Sequence, residues 1–280
     1  MFLSLKNLPS LIVNKISITT AQKMSPISAV LIDLSGTLHV EDDPTENAVE
    51  ALKKLRTLPV KIRFVTNTTK ESGQTLHRRL VRIGFELDPE EIYSSLSAAS
   101  DYVKKNQLNP LYLLSQDAQK DFPPVDKEKL DSVVVGLAPE EFHYEQLNRA
   151  FNLLRPGVGK PLIAIHEGRY YKRSDGLALG PGCFVKGLEF AASTEAVVVG
   201  KPNKYFFQSA IPENLPPEEC VMIGDDAVDD IQGAMSLGMR GLLVKTGKYL
   251  PDTKCEPKPT ATLDNFSSAV NWIETSLKSL

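Results

Sequence analysis

Short apolar runs alternate with amphipathic stretches along most of this chain. The first run, Ala29-Val30-Leu31-Ile32, ends on Asp33 and is followed at once by the turn composition Ser35-Gly36-Thr37. An apolar run of this length bounded by a turn predicts a buried strand. Ala48, Leu52 and Leu55 recur at helical spacing, so a helix follows the acidic loop Glu41-Asp42-Asp43-Pro44. Residues 60–65 predict a second strand that ends in Thr66-Asn67-Thr68-Thr69, and residues 74–83 a second helix closed by Gly84. Strand, helix, strand, helix opens a parallel sheet with crossover helices.

A second cycle begins with a helix from Leu96 to about Lys105, followed by strands at 111–114, 133–137 and 162–166 and a helix at 144–154. Tyr170-Tyr171-Lys172-Arg173 and Leu177-Ala178-Leu179 flank Ser174-Asp175-Gly176, the composition of a hairpin. A helix at 185–192 leads to a short strand at 196–199, then to Gly200-Lys201-Pro202 and a helix at 205–210. The strand at 220–223 ends in Gly224-Asp225-Asp226, with Asp229 and Asp230 just beyond. A helix carrying Ile231, Ala234 and Leu237 closes at Gly238, and a strand at 241–244 and a helix at 269–277 complete the chain. The middle block holds enough apolar residues to bury its own core. The expected fold class is therefore α/β: a doubly wound parallel-sheet, Rossmann-like core over 28–97 and 190–280, with an α/β cap domain inserted over 98–189. Residues 1–27 are expected to be a disordered leader.

Composition narrows the function classes. Of 280 residues, 42% are hydrophobic and 24% charged, with a net charge of −3, so no basic footprint for nucleic acid or an acidic membrane surface is present. No apolar run reaches the roughly 18 residues of a membrane span. Cys183, Cys220 and Cys255 are scattered, which fits a reducing compartment and neither a metal site nor a disulfide framework. The leader carries Lys6, Lys15 and Lys23 without an acid, but its longest apolar run is only Leu11-Ile12-Val13 and it lacks arginine. A cytoplasmic location is expected, with a mitochondrial address as the alternative.

Four predicted strands end in polar groups: Asp33, Thr66-Asn67, Lys201 and Asp225-Asp226. In a parallel sheet the carboxyl ends share one side, so these groups can meet there. Carboxylates suit Mg²⁺, which shares its shell with substrate phosphate, and a lysine ammonium is a compact charge for phosphate oxygens. Each group has a plainer role as well. Thr66-Asn67 can cap a helix, Lys201 can be a solvated loop residue, and Asp225-Asp226 can be an N-cap. Crowded acids at a strand end are nevertheless costly unless they share a cation.

In order and spacing, Leu31-Ile32-Asp33-Leu34-Ser35-Gly36-Thr37, Val65-Thr66-Asn67, Val199-Gly200-Lys201-Pro202 and Ile223-Gly224-Asp225-Asp226 through Asp230 resemble the motifs of the haloacid dehalogenase-like hydrolases. The likeness covers roughly residues 28–280 and is to the branch with a large α/β cap, similar to p-nitrophenyl phosphatase and NagD-type enzymes. It implies that Asp33 attacks phosphorus and forms an aspartyl-phosphate, and that Lys201 neutralises charge beside it. The implied Mg²⁺ ligands are Asp33, the Ser35 carbonyl and Asp225, with Asp226 and Asp230 supporting them. Asp33, Leu34, Ser35, Thr66, Asn67 and Lys201 would hold the substrate.

One position departs from the pattern. The family's first motif carries a second Asp two residues after the nucleophile, which protonates the leaving group and then deprotonates the water that hydrolyses the aspartyl-phosphate; here that residue is Ser35. General acid–base catalysis supplies about 10²–10⁴-fold, or roughly 3–5 kcal/mol of barrier. Two expectations follow. The chain is a phosphatase for small phosphorylated molecules or phosphoamino acids whose leaving group needs little protonation, such as pyrophosphate, phosphohistidine or phospholysine. Alternatively it is a weak or inactive phosphate-binding protein. Substrate choice is expected in the cap, where His166, Arg169, Tyr170, Lys172 and Arg173 are candidates by residue type, with a solvated hairpin face as the plainer reading. By analogy with the family, the cap is also a candidate homodimer surface.

Overall fold

The computed structural model describes residues 25–157, 159–173, 176–213, 215–252 and 254–279. Most of the expected leader and the predicted turn residues Ser174 and Asp175 lie outside the described residues, as do the side chains of Lys172 and Arg173. The first strand, β1 (Ala29–Asp33), lies in the middle of a six-stranded parallel sheet. A two-residue hairpin follows it, β2 (His39–Val40) against β3 (Asp43–Pro44). On one side β1 pairs with β4 (Lys61–Thr66), which pairs with β5 (Ile92–Ser94). A second sheet of four parallel strands starts with β6 (Pro110–Leu113), β7 (Ser132–Val135) and β8 (Leu162–Ala164). The hairpin of β9 (Tyr170–Arg173) and β10 (Gly176–Leu179) follows as a separate two-stranded sheet, and β11 (Ala196–Val198) completes the second sheet by pairing with β8. The chain then returns to the first sheet as β12 (Cys220–Gly224), β13 (Arg240–Val244) and β14 (Ala261–Leu263), with β12 beside β1.

Period-two alternation along the strands sorts their side chains into layers. One face of the first sheet, including Val30, Ile32, Val221 and Ile223, packs on α1 (Ala48–Arg56), α2 (Gly73–Ile83) and α8 (Phe266–Lys278). The other face, including Ala29, Leu31 and Met222, packs on α3 (Ser95–Lys105) and α6 (Lys204–Ala210). The same apolar cluster continues into Tyr112, Val134 and Ile163 of the second sheet. The opposite face of that sheet, with Leu113, Val133 and Val135, packs on α4 (Tyr144–Leu154) and α5 (Gly182–Ala192). The result is five layers, helix, sheet, helix, sheet, helix, and the middle helices serve both sheets. No helix of the described residues is long and apolar enough to cross a membrane.

The α/β class and the parallel core are as the sequence suggests. The strand before Lys201 is a correction. The sequence pattern assigns it to the core, but β11 joins the second sheet, so that sheet draws on residues 110–198 rather than 98–189. A run of valines announces a strand without naming its partner, and Val197 finds Ile163 opposite it. The helix expected around Ile231 is also altered. A π-helical turn, Ala227–Gln232, runs into the short α7 (Gly233–Met235). Such turns insert one residue per turn and re-aim side chains, here Asp229 and Asp230.

Candidate active site

Asp33 ends the central strand and is only 5% exposed, because β4 and β12 close on it from both sides. Lys201 reaches it from the other sheet. Its Nζ lies 2.6 Å from Asp33 Oδ1 and 2.6 Å from Asp230 Oδ1, with the Val65 carbonyl at 3.5 Å. Thr37 Oγ1 donates to Asp33 Oδ2 at 3.2 Å. Burial opposes the charge on Lys201, but Asp230 and Asp33 outweigh it and hold the ammonium well above the ordinary lysine range.

Asp225, the first residue after β12, is buried beside Asp33. Its Oδ2 accepts the Lys248 backbone N–H at 2.6 Å, and no described residue bonds its Oδ1. Burial and the neighbouring Asp33 charge push its carboxyl up to about 7. Two glycines make room for it: a Cβ on Gly36 or Gly247 would run into the Asp225 carboxylate, and Gly36 has a φ of 93° that disfavours any side chain. Asp226 caps the π-helical turn instead, accepting from Val228 N at 3.0 Å and Asp229 N at 2.9 Å. Burial works against its charge, yet the Asp229 amide and Lys248 hold it below the usual carboxylate range. Asp230 is fully engaged: Oδ1 takes Lys201 and Oδ2 takes the Asp226 N–H at 3.1 Å.

The motif at the end of β4 acts partly through its side chains. Thr66 is buried, and its Oγ1 lies 3.0 Å from Thr68 Oγ1 and accepts from Thr68 N at 3.2 Å. The Asn67 amide clamps the Lys201 backbone, accepting from its N–H at 3.0 Å and donating to its carbonyl at 3.0 Å. The Leu34 side chain belongs to the core cluster, so only its backbone is left for a ligand. Ser35 is exposed, and no described residue bonds its hydroxyl.

The structure thus brings Asp33, Asp225, Asp230 and Lys201 into one buried cluster, with Ser35, Thr66, Asn67 and Asp226 around it. Ligand atoms of Asp33, Asp225 and Asp230 lie within 4.8 Å of one another. Three carboxylates against one ammonium leave uncompensated negative charge, and their oxygen donors fit a hard divalent cation such as Mg²⁺. Because both Asp230 oxygens are already bonded within the protein, Asp33 and Asp225 are the better placed carboxylates for an ion. Three contributors are not among the groups that the sequence singles out: Thr37, the Asn67 amide and Lys248. Thr37 stands inside the first motif, and a hydroxyl four residues after a buried acid was the available signal. Nothing along the chain announces the other two. Among the cap candidates, His166 lies beyond the end of β8 and off the hairpin, whereas Arg169 and Tyr170 are exposed. Tyr171 lies under Lys70, with Nζ 3.9 Å from the ring centroid, and this joins the hairpin to the loop after β4.

This chain belongs to the haloacid dehalogenase-like hydrolases. The family model "Haloacid dehalogenase-like hydrolase" matches residues 30–123, and a HAD-hydrolase-like model matches 198–269. The chain is 53% identical over 250 residues to haloacid dehalogenase-like hydrolase domain-containing protein 2 of Rattus norvegicus, covering 88% of this chain and 96% of the relative. It is 38% identical over 260 residues to phospholysine phosphohistidine inorganic pyrophosphate phosphatase of Danio rerio, covering 90% and 96%. Among solved structures, 4-nitrophenylphosphatase of Thermotoga maritima matches with a TM-score of 0.80 at 25% identity, covering 88% of this chain and 97% of that one. The chain is accordingly a hydrolase of the family's phosphatase type.

Proposed function

We propose that this chain is a Mg²⁺-dependent phosphatase that passes the phosphoryl group through Asp33. Its substrates are small phosphorylated molecules or phosphoamino acids whose leaving group needs little protonation: pyrophosphate, or phosphoamidates such as phosphohistidine and phospholysine. The observation that carries this reading is the buried Asp33 carboxylate, bonded to Lys201 at 2.6 Å and set beside Asp225 at the end of the central strand. The Danio rerio relative supports the substrate class by its name. A fold-level relative, a glycerol phosphate phosphatase of Mycobacterium tuberculosis in complex with magnesium, supports the metal.

Phosphoryl transfer depends on positioning and charge neutralisation above other effects. Lys201 holds Asp33 in place and sets a fixed positive charge where phosphate oxygens gather. Asn67 uses its side chain on the Lys201 backbone, which fixes the loop whose backbone N–H and Thr66 hydroxyl face the phosphate. Asp33 attacks phosphorus, the bond to the leaving group breaks with its electron pair on that group, and an aspartyl-phosphate results. Water then attacks that phosphorus, the bond to Asp33 breaks with its electron pair on the restored carboxylate, and both water protons leave on the phosphate formed. When bound, Mg²⁺ would neutralise phosphate charge, held by Asp33, the Ser35 carbonyl and Asp225, with Asp226 and Asp230 fixing the surroundings.

Ser35 sets the limit on substrates, because its hydroxyl does not ionise near neutral pH and cannot hand a proton to an alkoxide. The same residue favours a second reading, a phosphate-binding protein with little turnover. A screen of P–O, P–N and P–O–P substrates with Mg²⁺ and with chelator separates the two. Mg²⁺-dependent turnover on P–N or P–O–P substrates above that on alkyl monoesters is expected. Turnover no greater than that of Asp33→Asn on every substrate would favour the second reading.

A further inference from the structure

Two residues outside the family motifs approach the cluster from opposite sheets, His166 within reach of the Lys201 and Lys248 charges and Lys248 on Asp225 and Asp226. Gly200 N donates to the Ile165 carbonyl at 2.8 Å, which sets the next residue, His166, beside Lys201. His166 Nδ1 accepts the Gly168 N–H at 3.0 Å. The ring proton is therefore on Nε2, and no described residue bonds that atom. Burial, then Lys248 and Lys201 nearby, push the His166 pKa down to about 4, so the imidazole is neutral at working pH and Nε2–H is a fixed donor. From the first sheet, Lys248 is anchored by its backbone N–H on Asp225. Its ammonium lies 3.4 Å from Asp226 Oδ2, long for a charge-assisted bond, and its side chain is 56% exposed. An ammonium carries three hydrogens and Asp226 Oδ2 is the one described acceptor near it, so Lys248 keeps hydrogens for a ligand.

We propose that His166 and Lys248 form a leaving-group subsite that takes an anionic group, and that phosphoanhydrides such as pyrophosphate are therefore preferred over phosphoamidates. The proposal rests on the phosphatase reading above and chooses between its two substrate classes. In the anhydride reaction an Asp33 oxygen bonds to one phosphorus and the bridging P–O bond breaks. The electron pair stays on the departing phosphate, whose oxygens meet the Lys248 ammonium and the His166 N–H. That phosphate leaves as an anion and needs no proton from position 35. The nitrogen of a phosphoamidate leaves instead as a neutral or cationic amine or imidazole, which brings no anionic oxygen to Lys248 or to the His166 N–H, and a protonated amine product faces the charge of Lys248.

The test compares kcat/KM for pyrophosphate with kcat/KM for phospholysine in the wild type, Lys248→Met, His166→Phe and His166→Asn, all with Mg²⁺. The wild type is expected to favour pyrophosphate. That preference should fall on the order of tenfold in Lys248→Met and in His166→Phe, the worth of one charge-assisted hydrogen bond. His166→Asn, which retains an N–H donor, should recover part of it. A preference within about twofold of wild type in both disruptive variants would overturn the subsite, as would a wild type that favours phospholysine. Binding of methylenediphosphonate, measured by calorimetry with Mg²⁺, keeps the two readings apart. If the wild type turns over no substrate, the phosphatase reading fails. The subsite still stands if methylenediphosphonate binds more tightly than inorganic phosphate and loses that advantage in Lys248→Met, and it fails if it does not.

Discussion

Asn67 and Lys201 hold each other by a reciprocal pair of hydrogen bonds. The Asn67 Oδ1 accepts the Lys201 N–H at 3.0 Å, and its Nδ2 donates to the Lys201 carbonyl at 3.0 Å. One residue follows a strand of the first sheet and the other a strand of the second, so this pair sets the distance between Lys201 and Asp33. Asn67→Ala leaves two backbone groups without partners, and a loss of about 2 kcal/mol in urea unfolding is expected. Turnover should fall with it, because the ammonium is no longer fixed. Asn67→Asp keeps the acceptor but loses the donor, and it should lie between Ala and wild type in both measurements.

Removing the ammonium is a harsher change. Lys201→Met leaves Asp33 and Asp230 buried without their shared partner, and metal-free protein should lose about 3–5 kcal/mol. Added Mg²⁺ should recover part of that stability in a thermal melt but not the turnover. Equal stability of the variant and the wild type without metal would show that the cluster is not charged as described.

Much of this site was legible in the sequence. An apolar run that stops on an acid identifies both β1 with Asp33 and β12 with Asp225, because a buried strand in a parallel sheet exposes its polar chemistry only at its end. The order of the four motifs did the rest. Pairing between sheets was not legible: the valines of β11 suit either sheet, and only their pairing with Ile163 and Ala164 decides. Lys248 and the Asn67 amide escaped for a related reason. Their partners, Asp225 and Lys201, are distant in sequence, and a lysine in a Gly-Lys-Tyr loop looks solvated until the fold lays it over the acids. His166 reads with the hairpin because it stands close to it in sequence, yet it lies just beyond β8 with its Nδ1 accepting the Gly168 N–H.

Metal binding should depend on pH in a definite direction. The Asp225 carboxyl is pushed up to about 7 from an ordinary 3.8 by burial and by Asp33. The folded, metal-free protein therefore binds this proton more tightly than the unfolded chain. Its contribution to stability is fully present below about pH 4 and is lost as pH rises through about 7. Mg²⁺ competes with the same proton, so its affinity should rise with pH up to about 7 and level off above it. Calorimetric Mg²⁺ titrations between pH 5.5 and 8.5, roughly one unit or more to either side of that value, check both the direction and the plateau. Asp225→Asn should flatten the profile.

Gly36→Ala tests how closely the first loop fits Asp225. The substitution puts a Cβ at a φ of 93° and against the carboxylate. A loss of at least about 1–2 kcal/mol is expected from the backbone alone. A weaker Mg²⁺ affinity should accompany it, because Asp225 must move aside.

Ser35→Asp restores a carboxyl at the position where the family pattern has its acid. It should raise kcat on alkyl phosphate monoesters by about 10²-fold or more, with a much smaller change on pyrophosphate. An unchanged monoester rate would mean that protonation of the leaving group is not what limits these substrates.

The nucleophilic role of Asp33 is tested most directly by acid-quenched peptide mapping during turnover of pyrophosphate with Mg²⁺. One phosphoryl group on Asp33 is expected in the wild type, and neither label nor turnover in Asp33→Asn. Turnover without phosphate on Asp33, or wild-type turnover by Asp33→Asn, would contradict it.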